Sequence, residues 1–138
     1  IFKAFRRKVD QQVEEEDYET RYNLGIAYKE MGLLDEAIGE FQYASRDPKL
    51  FMECCSILGI CFREKGMSDL AVKWYRKALE STGHSEEKYL GLRYDLGELH
   101  LERGEHTQAL TLFSEVYGTN SNYRDVASRI RELKKRVG

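Results

Sequence analysis

The chain has 138 residues, of which 41% are hydrophobic and 33% charged, enough apolar material for one folded core and outside the range of disordered chains. Its formal net charge of −2 argues against nucleic-acid binding, which usually leaves a net basic footprint, and its single proline, Pro48, points to helices rather than a turn-rich β fold. No apolar run approaches the roughly 18 residues of a membrane span, and no secretory leader is recognisable.

The chain opens on Ile1 rather than Met, so a fragment of a longer protein is expected. Phe2, Phe5, Val9 and Val13 recur at helical spacing and predict an N-terminal helix within residues 1–17. Lys3, Arg6, Arg7 and Lys8 give it a basic start. Glu14, Glu15, Glu16 and Asp17 come next, where negative charge favours the start of the next helix. This helix is expected to pack on the first repeat, as the second helix of a preceding repeat would. The alternative is a detachable arm that self-associates or binds a partner, since Phe2 and Phe5 would otherwise be exposed.

From residue 18 the chain repeats. An offset of 34 carries Leu24-Gly25 to Leu58-Gly59, Gly32 to Gly66, Ala37 to Ala71, Phe41 to Tyr75 and Ala44 to Ala78. An offset of 38 carries Leu58-Gly59 on to Leu96-Gly97, Gly66 to Gly104, Ala71 to Ala109 and Tyr75 to Phe113. The extra residues fall in a polar connector, 81–88. Repeats are therefore expected at 18–51, 52–85 and 86–120, stacked as units of one supersecondary type.

Each copy reads as two helices. In the first copy Tyr18, Tyr22, Gly25 and Tyr28 share a helical face, and Gly32 ends the helix. A second helix from about Asp35 buries Ala37, Phe41 and Ala44 and stops before Asp47-Pro48. Gly25, Gly59 and Gly97 lie mid-helix, where glycine costs about 1 kcal/mol relative to alanine. A close helix–helix approach explains that cost, with Ala37, Ala71 and Ala109 as small counterparts and the aromatics beside them. Residues 123–137 predict a capping helix that covers the last copy, with Asn122 as N-cap and Tyr123, Val126, Ala127, Ile130, Leu133 and Val137 on its apolar face. Arg124, Arg129, Arg131, Lys134, Lys135 and Arg136 are expected on the opposite face, solvated or docking an acidic partner or a membrane surface.

Leu-Gly-x-x-Tyr, a later Gly, an Ala and then an aromatic, at a period of 34, resembles the tetratricopeptide repeat over residues 18–117. The third copy departs at His100 and Val116. The large aromatic that the family often keeps three residues before Leu-Gly is replaced by Arg21, Cys55 and Arg93. The resemblance implies an all-α, right-handed superhelix of antiparallel helix pairs whose first helices line a concave groove. Carried over residue by residue, it implies a partner-binding groove formed by Tyr22, Ile26, Lys29 and Glu30, then Ser56, Ile60, Arg63 and Glu64, then Tyr94, Glu98, Leu101 and Glu102. One subfamily clamps the acidic tails of chaperones with Lys, Asn and Arg. The corresponding positions here hold Tyr22, Ile26, Ile57, Gly91 and Asp95, so that specificity is not expected; a partner with apolar anchors and some basic residues is.

Nothing in the sequence calls for catalysis. His84, His100 and His106 are scattered, and His100 replaces a core aromatic, which predicts a packed, hydrogen-bonded ring. Cys54, Cys55 and Cys61 match no zinc spacing and, being odd in number, cannot all pair within one chain; reduced, buried thiols in a cytoplasmic setting are expected. No Gly-rich phosphate loop is present. The expectation is a non-catalytic scaffold or adaptor without cofactor or metal, in a bacterial assembly, binding a protein or peptide partner. The runner-up is a self-association module.

Overall fold

The computed structural model describes residues 1–12 and 17–137, with side chains for all of these but residues 8–12. The expectations placed on Lys8, Val9, Val13 and Glu14 to Glu16 lie outside what is described. Among the described residues every regular element is a helix: α1 (Phe2–Gln12), α2 (Tyr18–Glu30), α3 (Leu34–Ala44), α4 (Phe51–Glu64), α5 (Ser68–Glu80), α6 (Glu86–Glu102), α7 (His106–Thr119) and α8 (Val126–Val137). The intimate pairs are α2 with α3, α4 with α5 and α6 with α7, stacked through α3 on α4 and α5 on α6. The result is a helical-repeat superhelix capped by α8.

The same turn is built three times. Gly32, Gly66 and Gly104 take φ of +78°, +77° and +74°, a left-handed conformation that only glycine adopts without penalty. Each closes the helix before it with a paired set of backbone bonds: Gly32 N–H to Lys29 O and Leu33 N–H to Tyr28 O, Gly66 to Arg63 and Met67 to Phe62, Gly104 to Leu101 and Glu105 to His100. The second helices follow so tightly that α3, α5 and α7 begin without side-chain caps.

The mid-helix glycines are explained more directly than by alanine counterparts. A Cβ at Gly25 would lie 2.7 Å from the Phe41 ring, at Gly59 3.0 Å from Tyr75 and at Gly97 2.9 Å from Phe113. Each aromatic of a second helix rests against the glycine of its own first helix. Phe41, Tyr75 and Phe113 are buried in consequence, as are Ala37, Ala71 and Ala109. The aromatic expected before Leu-Gly is replaced by a salt bridge in the first copy: Arg21 Nη1 donates to Glu40 Oε1 at 3.0 Å and its guanidinium lies 5.1 Å from the Tyr43 ring. Glu40 is only 2% exposed.

Ion pairs tie successive repeats with the period of the chain. Lys29 pairs with Glu64 and Arg63 with Glu102, equivalent positions one repeat on. On the turns, Lys65 pairs with Asp35 and Arg103 with Asp69. The two apolar clusters follow the same order, one running from α2 to α6 and reaching Leu112 of α7, the other joining α6, α7 and α8.

Two boundaries differ from expectation. Helix α6 absorbs Glu86, Glu87 and Lys88 from the connector, because the Ser85 hydroxyl accepts the Lys88 N–H at 3.4 Å and two acids enter the first turn. Helix α8 starts at Val126 rather than Tyr123. Arg124 has a φ of +43°, incompatible with a helix, and Asn122 donates its N–H to Asn120 Oδ1 in a local turn instead of capping. Val126 and Leu133 are buried against α7, whereas Val137 is 42% exposed and leaves the apolar face. Arg129 also leaves the solvated face, since it bonds Glu98 and Asp125. At the other end Phe2 meets the Tyr28 ring edge-on at 5.5 Å while Phe5 stays 51% exposed.

Candidate functional site

The first helices α2, α4 and α6 line a groove of about 630 Å³ between the repeats. Its floor is Met52, Ile57 and Ile60 from α4 with Leu92 from α6; Tyr22 stands at one end, Tyr123 and Arg124 at the other. The Tyr75 ring reaches the same face from α5, because Gly59 has no side chain to block it. Burial pushes the pKa of its hydroxyl to about 12, although Arg63 stands nearby. Phe41 and Phe113, the equivalents of Tyr75, lack that hydroxyl. A second hollow of about 420 Å³, formed by Ile60, Arg63, Glu64, Tyr75 and Glu102, shares Ile60 and Tyr75 with the first.

Of the groove residues named from sequence, Tyr22, Ser56 and Ile60 line the main groove, and Arg63, Glu64 and Glu102 line the adjoining hollow. The others line neither. Ile26 packs against the first apolar cluster and Leu101 against the second. Lys29 is paired with Glu64, and Glu30 is exposed. Tyr94 is only 4% exposed and donates its hydroxyl proton to Asp125, with Tyr123 edge-on at 5.8 Å. Glu98 is held by Arg129 at 3.0 Å. Reversing Glu98 would therefore break the cap as well as alter the groove.

The reason is the cap. The turn before α8 lays Arg124 over Tyr94 at 4.8 Å and Tyr123 at 5.2 Å, and Arg129 over Tyr94 at 5.7 Å. The open part of the α6 face thus lies toward the start of the helix, at Lys88, Gly91 and Asp95, with Leu92 buried beneath them. Sequence reasoning did not place Met52, Glu53, Tyr75, Leu92, Tyr123 or Arg124 in the groove. Ile57, Gly91 and Asp95 were named as equivalents of the chaperone-tail clamp, and they do line it.

Charge in the groove is mostly spoken for. Burial alone would raise the pKa of Glu53, but Lys88 Nζ, 2.7 Å from its Oε1, together with a backbone N–H and nearby His84 lowers it. Arg63 is committed to Glu102. Asp95 faces Arg124 at 3.8 Å, too far for a hydrogen bond, and burial raises its pKa.

Elsewhere the reactive side chains are quenched. Cys54, Cys55 and Cys61 are free and buried, and burial pushes their pKa values to about 12, 11 and 11, so they stay protonated and unreactive at neutral pH. His100 is buried with Nδ1 at 2.8 Å from Glu105 Oε1. Among the described residues no cluster of His, Cys, Asp or Glu could hold a metal ion, and no helix is long and apolar enough to cross a membrane.

Models of the tetratricopeptide repeat match residues 18–42 and 54–89. No curated protein matches the chain. Among solved structures it is similar to MamA, with a TM-score of 0.76 and 21% identity over 94% of this chain and 72% of that one. It is similar to the Yersinia enterocolitica type III secretion chaperone SycD in complex with a peptide of the translocator YopD, with a TM-score of 0.74 and 19% identity over 91% and 98% of the two chains. The N-terminal domain of stress-induced protein-1 from C. elegans gives a TM-score of 0.78 at 14% identity, over 87% and 96%. At these identities the likeness is one of fold.

Proposed function

The chain is a tetratricopeptide-repeat protein, and from that premise we propose that it is a non-catalytic interaction module that takes a peptide or helix of a partner protein into the groove between α4 and α6. Repeats at 18–51, 52–85 and 86–120, with a cap at 121–138, would form the frame. The observation that carries this reading is an open groove with an apolar floor, Met52, Ile57, Ile60 and Leu92, in a chain whose thiols are buried and whose histidines are bonded or scattered. Burying apolar side chains there is worth about 25 cal/mol per Å², and the groove is already preformed. That SycD holds a peptide of its translocator on the same fold supports the reading. Protonated thiols suit a reducing, cytoplasmic setting.

The test uses the chain as bait beside its Ser56→Trp variant, which fills the groove without altering its charge. Proteins captured by the first and lost with the second support the reading; identical capture contradicts it. A second reading, self-association, is favoured by exposed Phe5 on α1. Light scattering over a concentration series would then show a dimer that Phe5→Asp dissolves, and a monomer throughout would remove this reading.

A further inference from the structure

The acidic residues on the concave side divide into two classes. Glu64, Glu98 and Glu102 are committed to Lys29, Arg129 and Arg63 and have no charge to offer a ligand without breaking a joint between helices. Two carboxylates that line the main groove are under-supplied with donors. Asp95 is half-buried, and the cation nearest it, Arg124, stands 3.8 Å away because its guanidinium is drawn onto the faces of Tyr94 and Tyr123. Glu53 gives one oxygen to Lys88, and its other oxygen, Oε2, is buried without a hydrogen-bond partner. Asp95, half-buried and open to the groove without a hydrogen bond to its cation, is therefore a site for an incoming N–H donor. Glu87 at the rim adds a third negative charge against the two cations that line the groove, Lys88 and Arg124.

Taking the groove as the binding site proposed above, we infer that its occupant is a segment carrying a Lys or Arg between apolar side chains, with Asp95 as the residue that selects the cation. The apolar neighbours lie on Ile57, Ile60 and Leu92. The cation bonds Asp95 where Arg124 does not reach, and Glu53 and Glu87 add negative charge beside it. An acidic segment would meet Asp95, Glu53 and Glu87 together, with Arg124 already shared between two rings and a carboxylate.

The test is selection from a phage-displayed library of random 12-residue peptides against the full chain, Asp95→Lys and Ser56→Trp, each first shown to melt as the parent does. The expected result is enrichment of Lys or Arg flanked by apolar residues on the parent, a change to Asp or Glu on Asp95→Lys, and loss of both on Ser56→Trp. Peptides that need the groove but show no charge preference, or prefer acids on the parent, overturn this inference and leave the groove reading standing. Peptides enriched equally on Ser56→Trp overturn both.

Discussion

The seams between the helices and the groove they leave open are built from alternate turns of the same helices, yet they obey different rules. At the seams each position recurs: glycine under an aromatic at 25 and 41, 59 and 75, 97 and 113, with an added Cβ falling 2.7–3.0 Å from the ring each time. Along the groove the equivalent positions vary more: Ser56 stands between Tyr22 and Tyr94, Ile57 between Asn23 and Asp95, and Glu98 follows Ile26 and Ile60. A seam residue is constrained by a neighbour that is itself repeated. A groove residue faces open space, so its identity is free to follow a ligand.

The largest effect on a seam is expected at Arg21. Arg21→Met leaves Glu40 buried at 2% exposure without its cation, and removal of one partner of a buried pair costs about 3–5 kcal/mol. Chemical denaturation should show that loss, and Arg21→Met with Glu40→Leu together should recover most of it. Next comes overpacking. Gly25→Ala would drive a Cβ to 2.7 Å from Phe41 and should cost about 1–3 kcal/mol, relieved when Phe41→Leu is added. The same change at Gly118, which has open space around it, should leave the unfolding midpoint unchanged or slightly raised.

Acid should expose a subtler joint. Glu105 is held at a pKa of about 2, first by Arg103 and then by His100, below the usual value of about 4.3 for Glu. Because the folded pKa is the lower one, the contribution is complete above about pH 4.3 and is lost as the pH falls toward 2. The stability difference between the parent and Glu105→Gln, followed by circular dichroism, should therefore close over that window. The smallest effect belongs to the exposed ladder: a double-mutant cycle on Lys29 and Glu64 should return a coupling of about 0.2–1 kcal/mol that salt weakens.

The same division governs how much was legible in the sequence. Repeated seam residues announced the helix pairs, the three glycine turns and the buried aromatics, because period alone identifies them. The Gly59–Tyr75 contact was anticipated as a close approach but assigned to alanine, since spacing does not say which neighbour presses on a glycine. The start of α8 was misplaced because a left-handed Arg124 leaves no sequence signature. That turn in turn hid Tyr94 and Glu98 and moved the α6 face to Asp95. A cap from one end of the chain decides which residues of another helix remain open, and a reading of α6 alone could not contain that.

The division itself is tested by titrating a peptide selected on the parent chain into Ser56→Trp by calorimetry, alongside the thermal melts of both proteins. Surface changes away from a joint usually stay within about 0.5 kcal/mol of the parent. The expectation is an unchanged melt with affinity lowered more than about tenfold, equivalent to about 1.4 kcal/mol. Full affinity in Ser56→Trp would contradict the account, because the groove would then have no part in binding.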